Sequence, residues 1–187
     1  MSSFAMALPA GDHSKPTDPR LVRVVLVGEA LTRLSPILEA DRAQAVADLT
    51  VENHFAPLTL KPGPATSTAC ISGEPDAGPF TLHLSIQEGR LVFDIRAEDG
   101  TTQLAAVLLA LGPFRGLIKD YQMLVESHIL AMEEGREARI QAIDMGRRGL
   151  HNEGATLMRT RLESKIDIDF ETARRLFTLV CVLHQRI

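Results

Sequence analysis

One short stretch of this 187-residue chain gathers side chains suited to acid–base and anion chemistry: DMGRRGLHNEG, residues 144–154. His151 is its candidate acid or base, because imidazole titrates nearest to neutrality. Asp144 or Glu153 would orient that ring. Arg147 and Arg148 offer planar guanidinium forks to a carboxylate or phosphate, with Asn152 beside them. On an uninterrupted helix Asp144, Arg147, Arg148 and His151 share an arc of about 100°. Ile143, Leu150 and Leu157 occupy the adjacent arc, so Arg147 and His151 should border the core. Gly146, Gly149 and Glu153 fall on the far side.

Gly146, Gly149 and Gly154 each cost a helix about 1 kcal/mol relative to alanine. Compensation would come from a close helix crossing, a break, or a site that needs bare backbone. If the helix stops near Gly149 and restarts, the N–H groups of residues 152–154 could receive an anion beside the two arginines. The plainer reading pairs Asp144 with Arg148 at i,i+4 and gives the glycines to helix packing.

Cys181 and His184 share a helical face, and His128 and His151 could converge on them. No close C-x-x-C or H-x-x-x-H pair supports this, and Cys181 between Val180 and Val182 reads as core. No metal site is predicted. Arg174 and Arg175 stand at the positive end of a helix, which suggests acidic partners such as Asp167, Asp169 and Glu171, or an anionic ligand. The spacing GRRGLHNEG fits neither a P-loop nor a dinucleotide motif, and no motif names a cofactor.

The elements that must position these residues follow from the pattern. Residues 21–27 (LVRVVLV) predict a strand. Ser35 and Pro36 open a helix through residue 53, with Ile37, Ala40, Ala43, Ala47 and Val51 near one face. Residues 57–78, rich in Pro, Gly, Ser, Thr and Ala, predict a long flexible loop. Phe80, Leu82, Leu84 and Ile86 alternate with polar residues, Glu88-Gly89 turns the chain, and Leu91, Phe93 and Ile95 alternate back. Residues 103–111 fit a strand or a helix, and the meander favours the strand. Everything after Gly112 reads helical. Pro113 opens a helix whose face carries Phe114, Leu117, Ile118, Tyr121, Leu124, Val125, His128 and Met132. A glycine-interrupted stretch spans residues 136–162. Asp169 caps a last helix with Phe170, Ala173, Leu176, Phe177, Val180, Cys181 and His184 on its stripe. The expected architecture is α+β, an antiparallel meander of three to four strands packed against C-terminal helices. Residues 1–19 read as a disordered tail and residues 20–187 as a single domain.

Twenty Lys and Arg against 24 Asp and Glu leave a net charge of −4, with no global basic field. After position 15 only Lys61, Lys119 and Lys165 are lysines; the other basic residues are arginines. One Tyr and no Trp provide few stacking platforms, which disfavours nucleic acid as a partner. No apolar run approaches a membrane span, the N-terminus lacks a signal-peptide pattern, and the two cysteines are widely separated. The expected compartment is the cytoplasm.

The runs GPFRGLIKDYQMLVES (residues 112–127) and AIDMGRRGLHNEGATLMRTRLESKIDIDFETARRLFTLVCVLH (residues 142–184) resemble uncharacterised protein family 0262, a bacterial family. PFTLHLSIQEGRLVFDIRAEDG and LVRVVLV are similar to its other segments. The resemblance covers residues 21–186 apart from the loop, and it implies no activity or catalytic residue. Two readings remain. One is a non-enzymatic binding or regulatory protein, self-associating through its C-terminal helices. The other is a small hydrolase or transferase acting on an anionic, phosphorylated metabolite at residues 144–154. Convergence of Arg147, Arg148, His151 and Glu153 on one open pocket would favour the second.

Overall fold

A computed structural model describes residues 18–28, 34–58 and 78–184. Nearly all of the expected tail and loop lies outside the described residues. Strand β1 (Leu21–Leu26) is followed by helix α1 (Pro36–Val51) and a short strand β2 (Phe55–Pro57). Then come β3 (Phe80–Gln87), β4 (Arg90–Ala97) and β5 (Gln103–Ala110). A 3-10 turn, Gly112–Phe114, leads into α2 (Arg115–Glu133), and α3 (Glu137–Leu162), β6 (Ile166–Ile168) and α4 (Phe170–Leu183) complete the order.

The fold is α+β. β3, β4 and β5 form the expected antiparallel meander, and β1 joins its β3 edge in parallel, giving the order β1-β3-β4-β5. Glu88 and Gly89 both have positive φ, 50° and 72°, as a tight hairpin turn whose twist matches its strands requires. Of residues 103–111, all but Leu111 resolve as strand because their alternation continues the meander: Ala105, Val107 and Leu109 are buried and Leu108 is exposed. β2 and β6 form a separate antiparallel pair.

The buried face of the sheet and the helices share one apolar core. α4 runs through it, with Thr172, Ala173 and every residue from 176 to 183 buried. The apolar stripe that offered itself for self-association is therefore covered within the chain. Asp169 caps α4 by accepting a bond from the Thr172 N–H at 2.6 Å. Ser35 precedes α1 as expected, but its side chain makes no capping bond.

Three sequence expectations are corrected. The stripe of Ile37, Ala40, Ala43, Ala47 and Val51 is not the inner face of α1. Ala40, Ala43 and Ala47 are exposed, Ile37 is half-buried, and Val51 is 83% exposed. Leu38, Ala45 and Leu49 face the core instead. Two leucines remove far more apolar area from water than three alanine methyls, so they set the rotation of the helix. The second correction concerns α3, which runs unbroken through Gly146, Gly149 and Gly154. No restart near Gly149 leaves backbone N–H groups free for an anion. At Met132 the expected face of α2 also ends early, since Met132 is 58% exposed and Ala131 is buried.

Candidate functional site

The core-facing rotation of α1 brings an acidic residue inward. Asp41 lies three residues after Leu38 and four before Ala45, so burying those two turns Asp41 toward α2 and α3. Its Oδ2 accepts the Tyr121 hydroxyl of α2 at 2.6 Å and the Arg147 guanidinium of α3 at 2.5 Å. One carboxylate thus joins three helices. Two charge-assisted bonds satisfy it where few waters reach, as a carboxylate in such a place requires. The tyrosine gains no freedom to ionise. Burial and the adjacent Asp41 charge push its pKa well above the usual phenol range.

His151 stands one turn beyond Arg147 on α3. Its ring stacks on Tyr121 (centroids 5.7 Å, 26°) and meets the edge of Phe177 of α4 (6.1 Å, 75°). Burial first, then the positive charges of Arg147 and Arg174, lower its pKa to about 4. The ring is therefore neutral near pH 7. Its Nε2 is buried and has no hydrogen-bond partner.

A cleft of about 310 Å³ opens beside this ring, between α1 and α4. Asp41, Gln44 and Asp48 line it from α1, and Glu171, Arg174, Arg175 and Thr178 from α4. Arg175 is committed. Its Nη1 donates to the Glu52 carbonyl at 2.6 Å and its Nε stands 3.8 Å from Asp48, so it caps the negative end of α1. Arg174 is held more loosely, 3.6 Å from Glu171, and its Nε is buried without a partner. The two arginines that seemed misplaced at the start of α4 thus have different duties.

The six residues singled out in the sequence divide. Arg147 and His151 turn inward, both half-buried. Asp144 is nearby but faces elsewhere, 3.7 Å from Arg147 and 4.0 Å from His128, and it makes no bond to His151. Arg148, Asn152 and Glu153 are exposed along the outer side of α3. Arg148 is therefore not brought beside Arg147, and Glu153 is not brought beside His151. The expected i,i+4 pair of Asp144 with Arg148 is replaced by the i,i+3 pair with Arg147.

Gly154 has a clear cause. A Cβ there would fall against the ring of Phe177, so α3 and α4 cross where only hydrogen fits. Gly146 faces Leu124 at ordinary contact distance, and a Cβ at Gly149 would meet nothing within 4 Å. Cys181 is fully buried on α4, and burial raises its thiol pKa. Among the described residues no group of three or more His, Cys, Asp or Glu side chains could hold a metal ion. No described helix is long and apolar enough to cross a membrane.

The polar cleft residues absent from the sequence reading are Asp41, Gln44, Asp48 and Thr178. Only Asp41 left a signal, a charge set among Leu38, Ala45 and Leu49 at helical spacing. Comparison with known proteins gives a consistent picture. The pattern of the uncharacterised protein family (UPF0262) matches residues 18–186. A UPF0262 protein of Granulibacter bethesdensis is 66% identical over 168 residues, covering 90% of this chain and 91% of the relative. One of Acidiphilium cryptum is 56% identical over 167 residues, covering 89% and 93%. One of Bradyrhizobium sp. strain ORS 278 is 47% identical over 165 residues, covering 88% and 89%. No solved structure matches the chain.

Proposed function

The chain belongs to the uncharacterised protein family UPF0262, and from its cleft we propose a non-enzymatic binding protein that holds a small polar ligand between α1 and α4. One observation carries the reading. His151 Nε2 and Arg174 Nε, both buried and without partners, belong to residues that line the same cleft. A buried polar group left unmet costs roughly 1–3 kcal/mol, so a guest that drew these two side chains toward the cleft and met them would be favoured. The volume of about 310 Å³ lies at the small end of the ~300–1,000 Å³ typical of ligand pockets.

Binding fits better than catalysis for a chemical reason. A general base works best with a pKa near the working pH, and His151, at about 4, is a weak base with no proton to give near neutrality. Neither Asp144 nor Glu153 supports its ring. Arg147 spends its charge on Asp41 and Asp144, which weakens the case for a phosphorylated substrate clamped by the arginines of α3. The family description and the relatives' names assign no activity. We place the protein in the cytoplasm, a setting that accords with only two cysteines lying far apart in sequence.

Ligand-observed NMR against pooled small polar metabolites tests the proposal. A compound should bind, lose its binding in the Arg174→Ala and His151→Ala variants, and be recovered unchanged after long incubation. Recovery of a converted product overturns the non-enzymatic reading. Binding that neither variant weakens overturns the site.

A further inference from the structure

The two edge strands of the sheet are closed to different degrees. At β1, Asn53 covers the edge, accepting the Leu21 N–H at 2.7 Å and donating to the Leu21 carbonyl at 3.0 Å. At β5, no strand among the described residues pairs with the outer side. Its eight residues, QLAAVLLA, include no charge and no proline, two devices that keep an edge from pairing.

The ladder to β4 shows which main-chain groups are left over. The Leu111 N–H donates to the Gly89 carbonyl at 3.1 Å. Bonded residues alternate along an antiparallel pair, so Val107 and Leu109 also turn their N–H and C=O toward β4. Ala106, Leu108 and Ala110 therefore direct theirs outward. Lys165 bears this out, since its Nζ donates to the Leu108 carbonyl at 2.9 Å from outside the ladder. That exposed side chain guards the edge with a single bond, which a second strand would replace with a main-chain one. The register shift of β5 lies at its start, opposite Ile95 and Arg96, so the stretch from Ala105 to Ala110 is regular. Leu108 is 44% exposed, and Leu58, whose N–H donates to the Lys165 carbonyl, is 39% exposed.

We infer that β5 pairs antiparallel with β5 of a second copy of this chain, joining two four-stranded sheets edge to edge. The inference goes beyond the cleft and is independent of it. A two-fold axis that sets Ala106 opposite Leu108 of the second copy also sets Leu108 opposite its Ala106, so each large side chain meets a small one. No like charges face each other along the seam. At the ends the charges are complementary. The turn before β5 carries Glu98 and Asp99, and the far end of β5 is flanked by Arg90 and Arg115, all four exposed. None of the four is in an ion pair printed among the described residues. Antiparallel pairing brings the acidic turn of each copy to the basic end of the other, twice by symmetry.

Sedimentation equilibrium of the full chain tests this, with amide hydrogen exchange as the local readout. A dimer should form, and the N–H groups of Ala106, Leu108 and Ala110 should exchange more slowly as concentration rises. Leu108→Lys puts charge into the seam and should weaken the dimer roughly tenfold or more, while the dilute variant melts like the native chain. Glu98→Arg should weaken it as well, and adding Arg115→Glu should restore it, a rescue that damage to the fold would not show. A native chain that stays monomeric up to millimolar concentration overturns the inference. So does a dimer indifferent to Leu108→Lys, which lies on another surface. A monomer whose three edge amides are already protected overturns it too, because a segment of the same chain then covers β5. A double variant that stays dissociated overturns the antiparallel register.

Discussion

Acidification should destabilise this protein through His151 before its carboxylates titrate. The folded ring has a pKa of about 4 against 6.5 when solvated. Above about pH 6.5 the ring is neutral in both states and contributes nothing to the pH dependence. Between 6.5 and about 4 the unfolded chain takes up a proton that the folded chain refuses, so stability falls as pH falls. Below about 4 both states are protonated and the slope vanishes. The gap is worth about 3 kcal/mol in full, and about 2 kcal/mol of it is spent on going from about pH 7.5 to pH 5. For a chain of this size that is a loss of roughly 4–8 °C in Tm. The measurement is a pair of melts at the two pH values for the native chain and for His151→Gln. The variant has no ring to protonate, so subtracting its pH response removes that of the other titrating groups. An NMR titration of the His151 ring gives the midpoint directly. Equal pH responses in the two proteins, or a ring midpoint above pH 6, would refute the claim that burial and two arginines hold this imidazole neutral.

Two glycines of α3 should respond in opposite directions to the same change. Gly154→Ala drives a methyl into Phe177, which is itself fully buried, and should destabilise by about 1–2 kcal/mol once overpacking is set against the gain in helix propensity. Gly149→Ala meets open space and should stabilise by up to about 1 kcal/mol. Urea melts of both variants check this, and two shifts of the same sign would contradict the described crossing of α3 and α4. Tyr121→Phe should cost about 1.5–3 kcal/mol, because it removes a bond to the half-buried carboxylate of Asp41. An unchanged urea midpoint would mean that water replaces the hydroxyl without penalty.

The fold was largely legible because its strongest signals are local. Alternation across residues 80–96, the Glu88-Gly89 turn and the Asp169 cap each act within a few residues. Residues 103–111 were ambiguous alone, and only the partner strand made them β. The glycines of α3 misled for a related reason. A break and a close crossing look alike in sequence, and the difference is made by Phe177, more than 20 positions away.

The site was legible only in half. Arg147 and His151 were placed at the core boundary by helical geometry, and they stand there. Their polar neighbours Arg148, Asn152 and Glu153 seemed equally chemical, yet a helix presents consecutive residues to different surroundings, so nearness in sequence was no guide. The missing half lies on α1, where alanines at helical spacing outnumber the leucines that set its rotation. Leu38 and Leu49 bury the larger apolar area, so they set the rotation of α1 and leave Asp41 between them, facing inward. A carboxylate in that position cannot remain unmatched, and an inward-turning arginine at Arg147 is the cation that answers it. The informative residue was therefore not the polar cluster on a polar helix but the single charge on an apolar face. That charge joins α1 to α3 and lines the cleft beside them.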